Sequence, residues 1–278
     1  MARLRRIDAE LVRRGLAPSR TIAQQMIEAG SVKLDGEIIY KPARQMDPAQ
    51  AIVIDEAEAD RYASRGGYKL AGVLDILGDD APQIRGKRCL DAGASTGGFT
   101  DVLLRRGAES VVAVDVGYGQ LAWRLQTDPR VQVLDRTNVR YLKPDDVAPA
   151  PELVVSDLSF ISLTLVLPAL KLCAAPEAIF LLMVKPQFEI GKDKLGSGGV
   201  VRNLEHHHEA VTGVLTCARN IGLVPTAVAA SPLPGPAGNV EYFVVLCDSA
   251  PISIGEDEQD ERVWDAINSG PAAERKAP

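Results

Sequence analysis

Residues 87–100, KRCLDAGASTGGFT, constrain the fold of this chain more than any other stretch. A short apolar rise through Cys89 and Leu90 stops at Asp91. Gly93, Gly97 and Gly98 follow, with Ser95 and Thr96 between them, before apolar residues resume at helical spacing. That order reads as a strand, a tight turn and a helix start, in which glycine lets a ligand approach the backbone at the end of a parallel strand. A second apolar run, residues 111–114, ends at Asp115, an acid placed to accept hydrogen bonds from a ribose diol. The turn lacks the full G-x-G-x-x-G fingerprint and has no phosphate-loop lysine. Three readings stay open on this pattern. The favoured one is a methyltransferase using S-adenosylmethionine, which has no pyrophosphate to cradle; the others are a dinucleotide enzyme and a turn kept for tight packing.

Further apolar runs at residues 131–134, 153–157, 178–185, 224–229 and 242–246 give seven strands, separated by helical stretches such as 162–172 and 205–221. The alternation predicts an α/β fold, a Rossmann-like methyltransferase domain with a mostly parallel seven-stranded sheet covered on both faces. It is assigned to residues 61–248. A helix beginning at Ser64 leads into it with Lys69 in its first turn, where a lysine opposes the helix dipole unless an anion faces it. Residues 191–200, GKDKLGSGGV, read as a mobile loop that orders on substrate. Residues 231–239, SPLPGPAGN, form a stiff turn leading to Glu241. The acidic tail, 249–278, is expected to be frayed apart from a short helix near residues 263–267.

Residues 1–60 read as a separate small α+β module. One helix carries Ile7, Leu11 and Val12; a second, capped by Ser19 and stopped by Gly30, carries Ile22, Ala23, Met26 and Ile27. A hairpin turns at Asp35–Gly36, and residues 52–54 add a last strand. Arg3, Arg5, Arg6, Arg13, Arg14, Arg20 and Lys33 crowd this unit. The net charge of −6 conceals a local +4 over residues 1–46 and a local −5 over 248–278. A solvated face is one reading of the arginines; a surface for RNA or DNA phosphates is the favoured one. Tyr40 is the only aromatic residue in 1–60, which favours a structured nucleic acid over a free single strand. Four scattered cysteines form no C-x-x-C pair, and no apolar run reaches membrane-spanning length, so a reduced, cytoplasmic protein is expected.

Ligands of such sheets bind outside the carboxyl ends of the strands. Lys69, Asp157, Lys185 and Glu241 are aimed at that rim, and a lysine beside a carboxylate there is either structural or functional. If functional, the set suits methyl transfer to a sugar hydroxyl. Lys185 orients the hydroxyl and helps deprotonate it, with its protonation set by Asp157 and Glu241, while Lys69 holds ribose or phosphate. His206, His207 and His208 point about 100° apart on a helix and read as a solvated helix start. Trp123 reads as sheet-facing packing, with a place near the adenine as the alternative. Phe160 and Phe188 are open between core packing and stacking on a flipped base.

Two resemblances sharpen these readings. The segment LVRRGLAPSRTIAQQMIEAGSVKLDGEIIYKP resembles the alpha-L RNA-binding domain shared with a small-subunit ribosomal protein. The stretches SRGGYKL, CLDAGASTGGFTDVLLRRGA, DVGYGQLAWRL, DRTNVRYL, DLSFISL, MVKPQFEIGK and SPLPGPAGNVEYF resemble the FtsJ/RrmJ-like ribose methyltransferases. Over residues 3–248 the chain is similar to the TlyA family, once called hemolysin A. The resemblance implies a catalytic tetrad of Lys69, Asp157, Lys185 and Glu241. It implies S-adenosyl-L-methionine held by Asp91, Gly93, Ser95, Thr96, Gly97 and Gly98, with Asp115 on its ribose and Tyr118 alongside. Asp135 and Asn138 fall at the adenine side, although Asp135 could equally cap the turn before Asn138. RNA contacts would come from the seven basic residues of the module and from Arg65. The implied activity is methylation of cytidine 2'-hydroxyls in large-subunit rRNA and, from the arginine-rich start, in small-subunit rRNA too. Loss of those methyls lowers capreomycin and viomycin susceptibility in the family. The implied partner is rRNA within ribosomal subunits, with no DNA, membrane or metal; the oligomeric state stays open. Against this stand a non-catalytic RNA-binding scaffold and a membrane-active hemolysin.

Overall fold

The computed structural model describes residues 4–17, 20–28, 31–54, 62–249 and 255–272. Arg3, the cap at Ser19, the stop at Gly30 and the side chain of Ile22 lie outside the described residues. By its contacts the chain divides into two compact units, Met1–Tyr62 and Ala63–Pro278.

In the first unit the elements run β1 (Arg5–Arg6), α1 (Ile7–Arg13), α2 (Arg20–Glu28), β2 (Val32–Leu34), β3 (Glu37–Ile38), β4 (Gln45–Met46) and β5 (Ile52–Ile54). Apolar residues four apart, Ile7 with Leu11 and Ala23 with Ile27, bury one stripe of each helix against Val32, Leu34, Ile39 and Met46. Asp35 and Gly36 both have positive φ, 50° and 90°, the backbone that a two-residue turn between twisted strands requires. Leu34 therefore pairs with Glu37, and β5 joins β2 on its other side. The Asp35 carboxylate accepts from the Ala51 amide (2.9 Å) and from Gln50 (2.8 Å), which ties β5 to the hairpin.

The second unit runs α3 (Arg65–Leu77), β6 (Arg88–Ala92), α4 (Gly98–Arg105), β7 (Ser110–Val114), α5 (Trp123–Gln126), β8 (Val131–Leu134), β9 (Leu153–Ser156), α6 (Leu167–Cys173), β10 (Ile179–Val184), α7 (Pro186–Glu189), α8 (Leu204–Asn220), β11 (Val224–Ala230), β12 (Tyr242–Cys247) and α9 (Glu256–Ser269). Its seven-stranded sheet has the order β11-β12-β10-β9-β6-β7-β8. Pairing is parallel from β10 to β8, and β12 runs antiparallel to both of its neighbours. This is the mostly parallel, seven-stranded α/β sheet read from the apolar runs. The chain order reverses direction across β6 and β9, so the connections leaving their carboxyl ends part to opposite sides and open a crevice at the switch point.

Three expectations change. The acidic tail contains a 14-residue helix, α9, whose Val263, Ala266 and Ile267 are buried in the main core, and Arg262 donates from it to the Thr226 carbonyl of β11 at 2.9 Å. Spacing of three and four residues on one face outweighs the surrounding acids. Trp123 is not sheet-facing packing: it opens the four-residue α5 and is 38% exposed, because so short a helix covers little of the sheet. The histidine tract is not simply solvated. His207 is buried between the Val201 carbonyl and the Tyr242 hydroxyl (3.1 Å each), and His208 stacks on Trp264 and bonds Asp260.

Candidate active site

The glycine turn shapes the crevice. Gly93 has φ +92°, and a Cβ there would lie 2.8 Å from the Asp157 carbonyl oxygen, so only glycine lets the tips of β6 and β9 abut. At Gly98 a Cβ would lie 2.6 Å from the Gly67 amide, so the first turns of α3 and α4 meet there. The resulting cleft is lined by Ser64, Arg65, Gly66, Lys69, Gly93, Ala94, Ser95, Thr96, Gly98, Phe99, Asp157, Ser159, Lys185, Pro234 and Pro236.

Local chemistry aims the charged residues. Ser64 caps α3 by accepting from the Gly66 amide (3.2 Å), and Lys69 falls on the buried side of that helix. Pro186, without an N–H, follows Lys185 directly and opens α7, so β10 stops with the lysine at its tip. Lys185 Nζ lies 2.5 Å from Asp157 Oδ1 and donates to Ser159 Oγ at 2.8 Å. Lys69 Nζ lies 2.5 Å from Glu241 Oε2, with both side chains almost fully buried. The tetrad thus gathers as two ion pairs. Glu241, expected to act with Asp157 on Lys185, has Lys69 as its direct partner, because β12 carries it to the inner face of α3. Burial pushes the Glu241 carboxyl above the usual range, and the Lys69 charge opposes that rise, with Lys185 adding less.

Among the residues expected to hold a cofactor, Gly93, Ser95, Thr96 and Gly98 line the cleft. Asp91 does not. It is fully buried beneath the turn, its Oδ2 accepting from the Thr100 amide (2.8 Å) and hydroxyl (2.7 Å), while Oδ1 has no partner among the described residues. Burial raises its carboxyl to about 7. Gly97 faces Leu121 and Leu125 instead of the cleft. Asp115 braces the turn, accepting from the Ser95 amide at 2.8 Å and the Gly117 amide at 2.7 Å. Tyr118 is 70% exposed beneath the Arg136 guanidinium, 4.3 Å from the ring centroid. Asp135 accepts from the Gly119 amide (2.8 Å), and Asn138 caps a short 3-10 turn through the Arg140 amide (3.0 Å).

Sequence reasoning did not single out Ser64, Phe99, Ser159, Pro234 or Pro236 as cleft residues. The Ser64 cap was a readable signal; nothing marked Ser159. Phe160 is not core packing: it has φ +63°, is 91% exposed, and packs only a tilted face on Phe188 at 5.2 Å. So bulky a residue at positive φ is strained, and strain of this kind collects at working sites.

Two buried acids of α1 organise the basic residues of the first unit. Asp8 accepts from Arg6 (2.8 Å), Arg20 (3.0 Å) and Gln24 (3.1 Å). Burial alone would raise its carboxyl, but these donors outweigh burial and hold it well below the usual range. Glu10 accepts from Arg13 (2.5 Å) and Arg14 (2.9 Å), with Arg5 3.5 Å away, and Arg13's hydrogen bond leads in lowering it to about 2. Arg5, Arg6, Arg13 and Arg20 keep guanidinium surface exposed. Arg14, expected to face RNA, turns inward and donates to the carbonyls of Pro48 (2.8 Å) and Gln50 (3.1 Å). Lys33 lies on β2 opposite Ile38 and Val53, and Arg65 is exposed at the cleft.

Comparisons with known proteins agree with this geometry. The FtsJ-like methyltransferase family matches residues 62–247, and the S4 domain matches residues 5–52. The chain is 50% identical over 271 residues to the 16S/23S rRNA (cytidine-2'-O)-methyltransferase TlyA of Mycobacterium tuberculosis, covering 98% of this chain and 100% of the relative. It is 32% identical to hemolysin A of Brachyspira hyodysenteriae, over 86% of this chain and 98% of that one. A solved hemolysin-like structure from Streptococcus thermophilus superposes with a TM-score of 0.71 at 34% identity, covering 99% of this chain and all of that one. No helix among the described residues is long and apolar enough to cross a membrane. With matches of this length on both units, the chain belongs to the TlyA family of FtsJ-like methyltransferases, with an S4 domain ahead of the catalytic one.

Proposed function

We propose that this chain transfers a methyl group from S-adenosyl-L-methionine to the 2'-hydroxyl of a cytidine ribose in ribosomal RNA, in the large subunit and also in the small one. One observation carries the reading: two lysine–carboxylate pairs, Lys185–Asp157 and Lys69–Glu241, stand at the mouth of a glycine turn with no room for a side chain at Gly93. The turn fits the methionine end of the cofactor through Gly93, Ser95, Thr96 and Gly98, and the free lone pairs of Asp115 suit a ribose diol. Bound there, the cofactor supplies an electrophilic methyl on a sulfonium sulfur. A ribose hydroxyl is a poor nucleophile until its proton is removed. Lys185 receives that hydroxyl and helps deprotonate it, and Asp157 fixes the lysine. Lys69, neutralised in part by Glu241, offsets charge developing on the oxygen.

The S4-type module grips RNA through Arg5, Arg6, Arg13, Arg20 and Lys33, and Arg65 meets the phosphates beside the target nucleotide. Phe160, outside the core beside Ser159, offers a face on which an extruded base stacks. Labelled-methyl transfer to intact ribosomal subunits lacking the modification, followed by mapping of the modified sugar, tests the proposal. Label on a cytidine 2'-oxygen is expected; label on a base, or none, overturns it.

A further inference from the structure

We infer that Ser159 is a positioning residue for the reaction, setting the direction in which Lys185 presents its lone pair. The inference rests on the sugar-hydroxyl reading above. Ser159 follows the tip of β9 by two residues, is exposed, lines the cleft, and its Oγ accepts from Lys185 Nζ at 2.8 Å. Asp157 Oδ1 lies 2.5 Å from the same Nζ as its ion-pair partner. In the resting ion pair Lys185 is an ammonium. It accepts the hydroxyl proton only after passing one of its own to solvent, and the neutral amine then carries two N–H bonds and one lone pair on a freely rotating tip. With one fixed acceptor, the amine spins about the Cε–Nζ bond and the lone pair sweeps a cone. With the Ser159 hydrogen bond fixing one N–H and the Asp157 carboxylate drawing the other to its side, the lone pair takes the remaining tetrahedral direction.

In the step itself, the ribose O–H bond breaks toward that lone pair and leaves a lysine ammonium. The oxygen forms its bond to the methyl carbon as the carbon–sulfur bond breaks and the electron pair stays on sulfur as a neutral thioether. The new ammonium keeps its hydrogen bond to Ser159 and faces the Asp157 carboxylate. Because Ser159 accepts from Lys185, its own hydroxyl hydrogen points away from Nζ and adds no competing donor at the lone pair.

Among the described residues nothing else demands a hydroxyl here. Ser159 caps no helix, since the neighbouring 3-10 turn at 163–165 is capped by Ser162, and an exposed side chain fills no core. Orientation by one such hydrogen bond is worth about ten- to thirty-fold in rate, or about 1.4–2 kcal/mol.

Three variants, Ser159→Ala, Ser159→Thr and Ser159→Cys, test the inference in single-turnover methyl transfer to rRNA. RNA and S-adenosylmethionine dissociation constants and melting temperature are measured on each. Expected results are a ten- to thirty-fold slower transfer for Ser159→Ala, near-full retention for Ser159→Thr, and an intermediate rate for Ser159→Cys, a weaker acceptor of similar size. Both dissociation constants should stay within about two-fold. A larger solvent deuterium isotope effect for Ser159→Ala is expected, because proton removal becomes slower. Equal rates for Ser159→Ala and the unaltered chain overturn the inference, as does a loss appearing only in RNA or cofactor affinity. Failure of the unaltered chain to methylate ribose would instead overturn the function reading, so the two failures are distinguishable.

Discussion

Asp8 and Glu10 in the first unit, and Asp91 and Glu241 in the second, are all buried carboxylates, yet their surroundings drive them in opposite directions. Around Asp8 and Glu10 five arginines and a glutamine supply more donors than two carboxylates need, and both acids are held ionised. Among the described residues Asp91 has only the Thr100 donors and no cation in contact, and Glu241 has Lys69 as its direct partner; burial wins and both are pushed upward. Surplus donors turn a buried acid into a fixed anion that arrays guanidinium groups on a surface. A deficit leaves the carboxyl holding its proton to a higher pH than usual.

The largest effect should come from Lys185→Ala, which removes the cation of the outer pair. Methyl transfer should fall at least about a thousand-fold while cofactor and RNA binding persist, checked by single-turnover assay and calorimetry. Next is Glu10→Gln, which leaves Arg5, Arg13 and Arg14 facing one another without an anion. Loss of about 3 kcal/mol from the first unit is expected by denaturant unfolding, the order found when one partner of a buried pair is removed. If Glu10→Gln is silent, the arginines are not organised by that acid.

The pH dependence should separate the two units. Glu10 is lowered, so its contribution is present above the ordinary 4.5 and is lost as pH falls through about 2. Asp91 is raised, so its ionisation penalises the fold increasingly as pH climbs from the ordinary 3.8 to about 7. Asp91→Asn should therefore raise the melting temperature by a few degrees (~2–4 °C) at pH 8 and have less effect near pH 4. The smallest effect belongs to Arg5→Ala, a half-exposed arginine 3.5 Å from Glu10. Stability should change by less than about 1 kcal/mol, and RNA affinity should fall a few-fold with the salt slope reduced by about one.

What the chain disclosed beforehand was local. Asp35–Gly36, the run from Asp91 to Gly98 and the stop before Pro186 are written in adjacent residues, where φ preferences and missing donors act at short range. The four rim residues were named from strand ends and sharpened by resemblance, but which lysine pairs with Glu241 depends on where α3 meets the residue just ahead of β12, and no local pattern carries that. The capture of Arg13 and Arg14 by Glu10 was readable from their three- and four-residue spacing and was passed over in favour of RNA contacts. The last helix was read too short, as a piece near residues 263–267, because the acids ahead of Val263 masked its first two turns. Ser159 and the exposed pose of Phe160 follow from a loop conformation that no residue pattern announced.

The helix α9 has one more consequence. β11 is the outermost strand of the sheet, and Arg262 occupies one of its outward carbonyls. Shortening the chain ahead of residue 255 would strip this guard and expose a run of unsatisfied amides to any neighbouring molecule able to add a strand. The acid-rich stretch thus helps keep separate copies from zipping together, which is a reason to retain it whenever the catalytic unit is produced alone.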